Sequence, residues 1–221
     1  MRQSNMILAS SSPRRKELMA WLKIPFECIP ADIDESFQRD ELPLQHVKRL
    51  ARQKAEKVYE CCGKTEIVLA ADTIVIHNGT ILGKPKDATQ AEEMLLALCG
   101  KVHQVATAIH IISGVGEHLT DLCVSNVKMR AYSTEEIKAY VASGDALDKA
   151  GAYAIQSQSF HPVPVLNGCF ASVMGFPFCH IERNLRRIDG YNCVPVADIC
   201  QKNLHYSCPI FTRVLDGEDI G

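Results

Sequence analysis

Six residues in the first half of the chain have types and positions that a purely structural role explains badly: Arg14, Arg15, Glu35, Lys54, Asp72 and Lys84. Four are cations and two are carboxylates. If they face one cleft, the cations suit a polyphosphate, and the carboxylates suit a divalent cation bridging its oxygens. The reaction class is then phosphoryl or nucleotidyl transfer, with water or another hydroxyl as nucleophile. The protein's contribution to such chemistry is mostly position and charge. There is no Gly-x-x-x-x-Gly-Lys-Ser/Thr loop, which excludes a P-loop arrangement.

The elements that must position these residues are legible around them. Met6 to Ala9 is a short apolar strand, followed by three serines and Pro13. Ser12 is a natural N-cap, and Pro13 fits the first helical position, where its missing N–H costs nothing. The spacing predicts a helix over about Arg14 to Leu22, with Arg14 and Arg15 in its first turn. Cations there are unfavourable by about 0.3–1 kcal/mol each, a penalty that a bound anion would offset. Free backbone N–H groups, the Ser10 and Ser12 hydroxyls and two guanidinium forks make a phosphate cradle. The plain alternative is a basic surface turn.

Pro25 to Pro30 reads as a second strand, and the acidic loop Ala31–Glu35, taken alone, as a solvated turn. Gln45 to Tyr59 is a helix with the apolar stripe Val47, Leu50, Ala51, Ala55 and Val58. Lys54 falls inside that stripe, where it is either paired and functional or snorkels past its neighbours. Glu66 to Ala71 is an apolar strand ending in Asp72-Thr73. A carboxylate at the carboxyl end of a buried strand sits where α/β sheets place their crevice. Asn78-Gly79 is a hairpin turn leading to Ile81–Pro85, with Gly83 free to bend and Lys84 beside a φ-fixing proline.

Further on, Asp87 or Thr89 caps a helix to about Leu98 that stops at Gly100, and Val102–Ile112 pairs with His118–Tyr132. The capping box Ser133–Glu136 opens a helix to about Ala142, ended by Gly144. After the loop Asp145–Gly151, Ala152 to Gln156 resembles a strand. A hairpin is expected about Asn167-Gly168, then a last helix to about Arg187. From Ile188 onward no period is visible, and a loosely attached tail is expected. The reading is one α+β (mixed α/β) domain over residues 1–187 with a tail at 188–221; hairpins are too frequent for an all-parallel fold.

The 221 residues, 47% of them apolar, suffice for one large core. A net charge of −2 creates no field for nucleic acid or an anionic membrane, so an anion must be captured locally. No signal peptide and no run approaching the roughly 20 apolar residues of a membrane span are seen, and the ten scattered cysteines read as reduced thiols, which together imply a cytoplasmic protein. Cys193, Cys200 and Cys208 with His205 offer zinc ligands, but their spacing matches no standard site.

Five blocks in order, Leu-Ala-Ser-x-Ser-Pro-Arg-Arg-x-Glu-Leu (8–18), Leu-Ala-x-x-Lys-Ala (50–55), Ala-Asp-Thr (71–73), Gly-Lys-Pro (83–85) and Asp-Lys-Ala-Gly-Ala-Tyr-x-Ile-Gln (148–156), resemble the Maf family. Val173–Pro177 is similar to its closing segment. The resemblance implies an ITPase-like fold, two lobes around a mixed, largely antiparallel sheet, often as a homodimer. It implies a nucleoside triphosphate pyrophosphatase that cleaves between the α- and β-phosphates with Mg²⁺ or Mn²⁺. Asp72 matches the family's proton acceptor, Arg14, Arg15, Lys54 and Lys84 its phosphate-binding cations, and Glu35 its metal-site carboxylate. Arg14, Thr73 and Gln156 resemble the branch acting on dTTP and UTP, and an amide such as Gln156 can read the carbonyl and N–H edge of uracil or thymine. The chain departs at Ser157-Gln158-Ser159, where the family has glycine after the glutamine; the larger polar loop would reshape a base pocket. Rival readings are a 7-methyl-GTP pyrophosphatase and a non-catalytic nucleotide-binding regulator of cell division.

Overall fold

The computed structural model describes residues 6–63, 65–192 and 194–221. Its centre is a six-stranded mixed sheet in the order β2-β1-β3-β5-β6, with β4 also paired to β3. The strands are β1 (Met6–Leu8), β2 (Phe26–Cys28), β3 (Ile67–His77), β4 (Thr80–Leu82), β5 (Val102–Ile112) and β6 (His118–Lys128). β1 runs parallel to β2 and β3, whereas β3, β4, β5 and β6 pair antiparallel.

β3 pairs with β5 continuously from Val68 to Ile76. On its other side it meets β1 at residues 67–69 and β4 at residues 75–77. Residues 70–74 therefore have no strand partner on that side, and the sheet is split there. Asp72 is not at a strand end, as expected, but in the middle of β3. The apolar run Ile74-Val75-Ile76 continues the pleat: all three pair with β5, and Val75 and Ile76 also pair with β4. The carboxylate nonetheless lies just beyond the carboxyl end of β1, so the crevice at a strand end is supplied by its neighbour.

The pleat sends successive side chains to opposite faces. Val68, Ala70, Ile74 and Ile76 pack under the long helix α2 (Pro43–Cys61), against Val47, Ala51, Ala55 and Val58. Leu69 and Ala71 face the main core, with Leu18 and Met19 of α1 (Pro13–Ala20). Farther along the same face, Val75 and Val105 meet α3 (Ala88–Leu98) and α4 (Thr134–Ala142).

Local signals place several of the helix starts. Asp87 caps α3 through the Gln90 N–H at 2.8 Å, and Ser133 with Glu136 forms the capping box of α4. α2 begins two residues before Gln45, because Pro43 occupies its first position and the Gln45 side chain accepts the Leu42 N–H.

Three expectations differ from the structure. Ala152–Gln156 is not a strand: Gly151 and Ala152 both have positive φ, 70° and 60°, which ends any extended run. Around Asn167-Gly168 there is no hairpin. Leu166 makes one isolated bridge to Val127, and Phe170–Val173 is the short helix α5. The segment after Arg187 is not loosely attached. Beyond α6 (Phe178–Leu185) come α7 (Val196–Leu204) and α8 (Phe211–Leu215), whose Val196, Ala197, Cys200 and Val214 are buried in the main core. Among the described residues no helix is long and apolar enough to cross a membrane.

Candidate active site

The split in the sheet opens into a cavity of about 940 Å³. Its floor is Asp72, only 7% exposed, on the face covered by α2. Lys54 emerges from the apolar stripe of α2 directly above it, and the pairing reading is the one the structure bears out. Its ammonium donates to Asp72 Oδ1 at 2.7 Å and lies 2.6 Å from Glu35 Oε1. One cation thus neutralises two carboxylates from different elements. Partial burial pushes the Glu35 carboxyl up, but the Lys54 hydrogen bond and the charges of Lys54, Lys84 and Arg15 outweigh it and hold the group below its usual value.

Glu35 belongs to the irregular stretch between β2 and α2. Glu41 anchors that stretch: it accepts from Arg49 Nε at 2.6 Å and Nη2 at 2.8 Å, and pairs with His46 Nδ1 at 2.9 Å. Arg49 also donates to the Ser36 carbonyl at 2.9 Å. The loop is thereby strapped to the helix that carries Lys54.

The opposite wall is the turn after β1. The Ser12 hydroxyl accepts the Arg15 N–H at 3.4 Å, and the Ser10 hydroxyl accepts the Ser12 N–H at 3.2 Å. The cap and Pro13 start α1 with no acidic residue in its first turn. Arg15 is half-buried; its Nε donates to the Gly175 carbonyl at 3.0 Å and its Nη2 to Thr73 Oγ1 at 2.9 Å. Burial lowers its pKa while Asp72 and Glu35 raise it, with burial the larger effect. Gly175 has φ +97°, and a Cβ there would stand 3.1 Å from Thr73 Oγ1, so glycine is required for this close approach.

The structure brings together Ser10, Ser12, Arg14, Arg15 and Glu35 with Lys54, Asp72, Thr73 and Lys84: all nine line the one cavity. Lys84 is exposed at its edge, on the bend after β4. Gln156 is not brought there; it is exposed and lies outside the cavity lining. Its segment is held by Arg130, which donates to the Phe160 carbonyl at 2.7 Å and the His161 carbonyl at 3.0 Å. Other wall residues, among them Phe37, His46 and Lys149, receive no site role from the sequence. Phe37 stacks on His46 with ring centroids 4.0 Å apart, and Lys149 is tethered to Asp145 at 2.8 Å. The motif at 148–156 pointed to Lys149; nothing local pointed to Phe37.

The cysteines gather elsewhere. Cys169, Cys179, Cys200 and Cys208 line a small apolar cavity of about 10 Å³ between α5, α6 and α7. Cys193 lies outside the described residues, and among those described no group of three His, Cys, Asp or Glu is placed to hold a metal ion.

A split mixed sheet, with a buried carboxylate in the gap and cations on both walls, defines an α/β protein built to receive a polyanion. The chain belongs to the Maf family: the family model described as Maf-like protein matches residues 5–188, which bears out the resemblance of the five blocks. It is 43% identical over 187 residues to the dTTP/UTP pyrophosphatase of Geotalea uraniireducens (strain Rf4), covering 84% of this chain and 96% of that protein. It is 46% identical over 175 residues to the dTTP/UTP pyrophosphatase of Escherichia coli O6:K15:H31, covering 79% and 88%. Among solved structures it is similar to the Staphylococcus aureus Ham1 protein, with 14% identity, coverage of 72% and 91% and a TM-score of 0.43.

Proposed function

We propose that this chain hydrolyses nucleoside triphosphates between the α- and β-phosphates, releasing a nucleoside monophosphate and pyrophosphate, with dTTP and UTP as its substrates. The observation that carries this reading is the convergence of Arg14, Arg15, Lys54 and Lys84 around Asp72 in one cavity. The substrates come from the names of the relatives, which cover most of this chain.

In this reading Arg14, Arg15 and Lys84 bind the phosphate oxygens. Asp72 accepts a proton as water attacks the α-phosphorus and the bond to the β-phosphate oxygen breaks. The Lys54 contact to Oδ1 orients that carboxylate and leaves Oδ2 to take the proton. Glu35 and Asp72 fit a divalent cation, because they already converge on a single positive centre and are hard oxygen donors. Bound there with the substrate's phosphates, Mg²⁺ or Mn²⁺ would neutralise charge on the oxygens. The base contact that the resemblance gives to Gln156 is left out of this reading, since that residue is exposed outside the cavity. Residues 1–187 form the catalytic unit, with 188–221 as a packed extension; a homodimer belongs to the reading and is checked by sedimentation.

The test is product identification with dTTP, UTP, CTP, GTP and 7-methyl-GTP, each with Mg²⁺ and with Mn²⁺. Pyrophosphate release from dTTP and UTP is expected. Orthophosphate as the product overturns the reaction, and faster turnover of 7-methyl-GTP overturns the base. Asp72→Asn should lower kcat by at least about 100-fold, as expected for loss of a general base, and still bind nucleotide. Tight binding with no turnover in the wild type would favour the regulator.

A further inference from the structure

Behind Arg15 runs a chain of two hydroxyls, Thr73 and Thr107. Thr107 on β5 is fully buried and sits directly across from Thr73 in the β3–β5 register. Its Oγ1 donates to the Ser172 carbonyl at 2.8 Å. A hydroxyl has one proton, and a carbonyl can only accept, so the Thr107 proton is committed to Ser172. The 2.9 Å contact between the two threonine hydroxyls must then be donated by Thr73. With its own proton spent on Thr107, Thr73 presents only lone pairs outward, and Arg15 Nη2 donates to one of them at 2.9 Å. Every proton in the sequence Arg15 → Thr73 → Thr107 → Ser172 carbonyl is assigned by elimination. The carbonyl belongs to the same turn whose Gly175 carbonyl accepts Arg15 Nε.

We propose that Thr107 is a positioning residue for the active site: it holds Thr73 in the one rotamer that accepts from Arg15, and so fixes the guanidinium plane toward the substrate's phosphates. The proposal rests on the phosphate-binding role given to Arg15 above. Without the Thr107 hydroxyl, Thr73 is free to turn its own proton toward Arg15, and the Ser172 carbonyl loses a donor. Arg15 then keeps its charge but not its fixed direction. A guanidinium that binds bidentately depends on that direction more than an ammonium does.

The experiment combines kinetics with a double-mutant cycle. Thr107→Val, close in shape to threonine, should raise KM for dTTP roughly tenfold, the scale of a lost charge-assisted hydrogen bond, with a smaller change in kcat. Thr107→Ser, which keeps the hydroxyl, should restore KM to within about twofold. In an Arg15→Lys background Thr107→Val should add less than about twofold, because the group it positions is gone. A purely structural role predicts additive losses. Affinity for inorganic triphosphate by calorimetry should weaken in parallel, and this readout needs no turnover. If Thr107→Val does not fold, Thr107→Ala carries the same measurements. Wild-type affinity in the hydroxyl-free variant, or full additivity with Arg15→Lys, overturns the relay. Failure of the wild type to release pyrophosphate from any nucleotide overturns the proposed reaction instead, and leaves the triphosphate affinities to decide the relay.

Discussion

Lys54 is the residue on which the site's electrostatics turn. Its ammonium is held between Asp72 and Glu35, with its side chain only 10% exposed. Removing one partner of a buried pair leaves the other charge uncompensated, which costs more than the pair itself contributes. Lys54→Met is therefore expected to destabilise the fold by about 3 kcal/mol, read from urea midpoints. Lys54→Met combined with Asp72→Asn should recover part of that loss, because no buried charge then remains. A Lys54→Met protein as stable as the wild type would mean that Asp72 is hydrated in solution. Lys54 was legible in the sequence because it interrupts an apolar period, and a misfit of that kind is visible without coordinates. Thr107 was not, because a threonine in a strand matches ordinary β preference; only the pairing register sets it opposite Thr73. Gln156 could not be placed from its motif because Arg130, 26 positions earlier in the sequence, holds the carbonyls of the loop that follows it.

At the scale of elements, the site depends on a loop with no regular structure. The stretch from Ile29 to Leu42 presents Glu35 and is strapped to α2 through Glu41. The Arg49 hydrogen bonds outweigh burial and, with His46, pull the Glu41 carboxyl from its ordinary 4.5 to about 2. A carboxyl whose pKa is lower folded than unfolded adds stability that is complete above 4.5 and is lost as pH falls toward 2. Glu41→Gln should remove that contribution. Urea midpoints of wild type and variant should differ most near neutral pH and converge as pH falls from about 4.5 to about 2. A constant difference across that range would show that the strap is not ionic. Elements with their own start signals were read correctly, such as α1 with Ser12 and Pro13, or α4 with its capping box. The misread ones, Ala152–Gln156 and the supposed hairpin at Asn167-Gly168, have strand-like composition but positive φ or no continuous partner. A strand is defined by what it pairs with, and that information is not local.

The whole molecule closes through its C-terminal segment, which lies beyond the residues that the family model matches. α7 and α8 have nine and five residues, too short for a period to declare itself, and they take their places from the surface they cover. That surface is the outer side of α6, where Phe178, Ile181 and Leu185 are buried together with Val196, Cys200 and Val214. Arg183 closes the seam: it binds Asp121 of β6 at 2.6 Å and the Glu218 carbonyl at 2.6 Å. Burying two valines is worth about 3 kcal/mol or more by transfer free energy, before the newly exposed face of α6 is counted. A chain ending at Ile188 should therefore unfold at a markedly lower urea concentration than the full chain. The cavity lies on the split between β1 and β4, and none of its lining comes from residues beyond Gly175. Whatever fraction of the shortened chain folds should thus keep the full chain's KM for dTTP, with kcat per folded molecule unchanged. Measuring the urea midpoint and KM on the same samples separates the two roles. An unchanged midpoint would mean that the buried seam contributes nothing to stability. A raised KM at full folding would mean that the extension reaches the site through α6 and the Gly175 turn that receives Arg15.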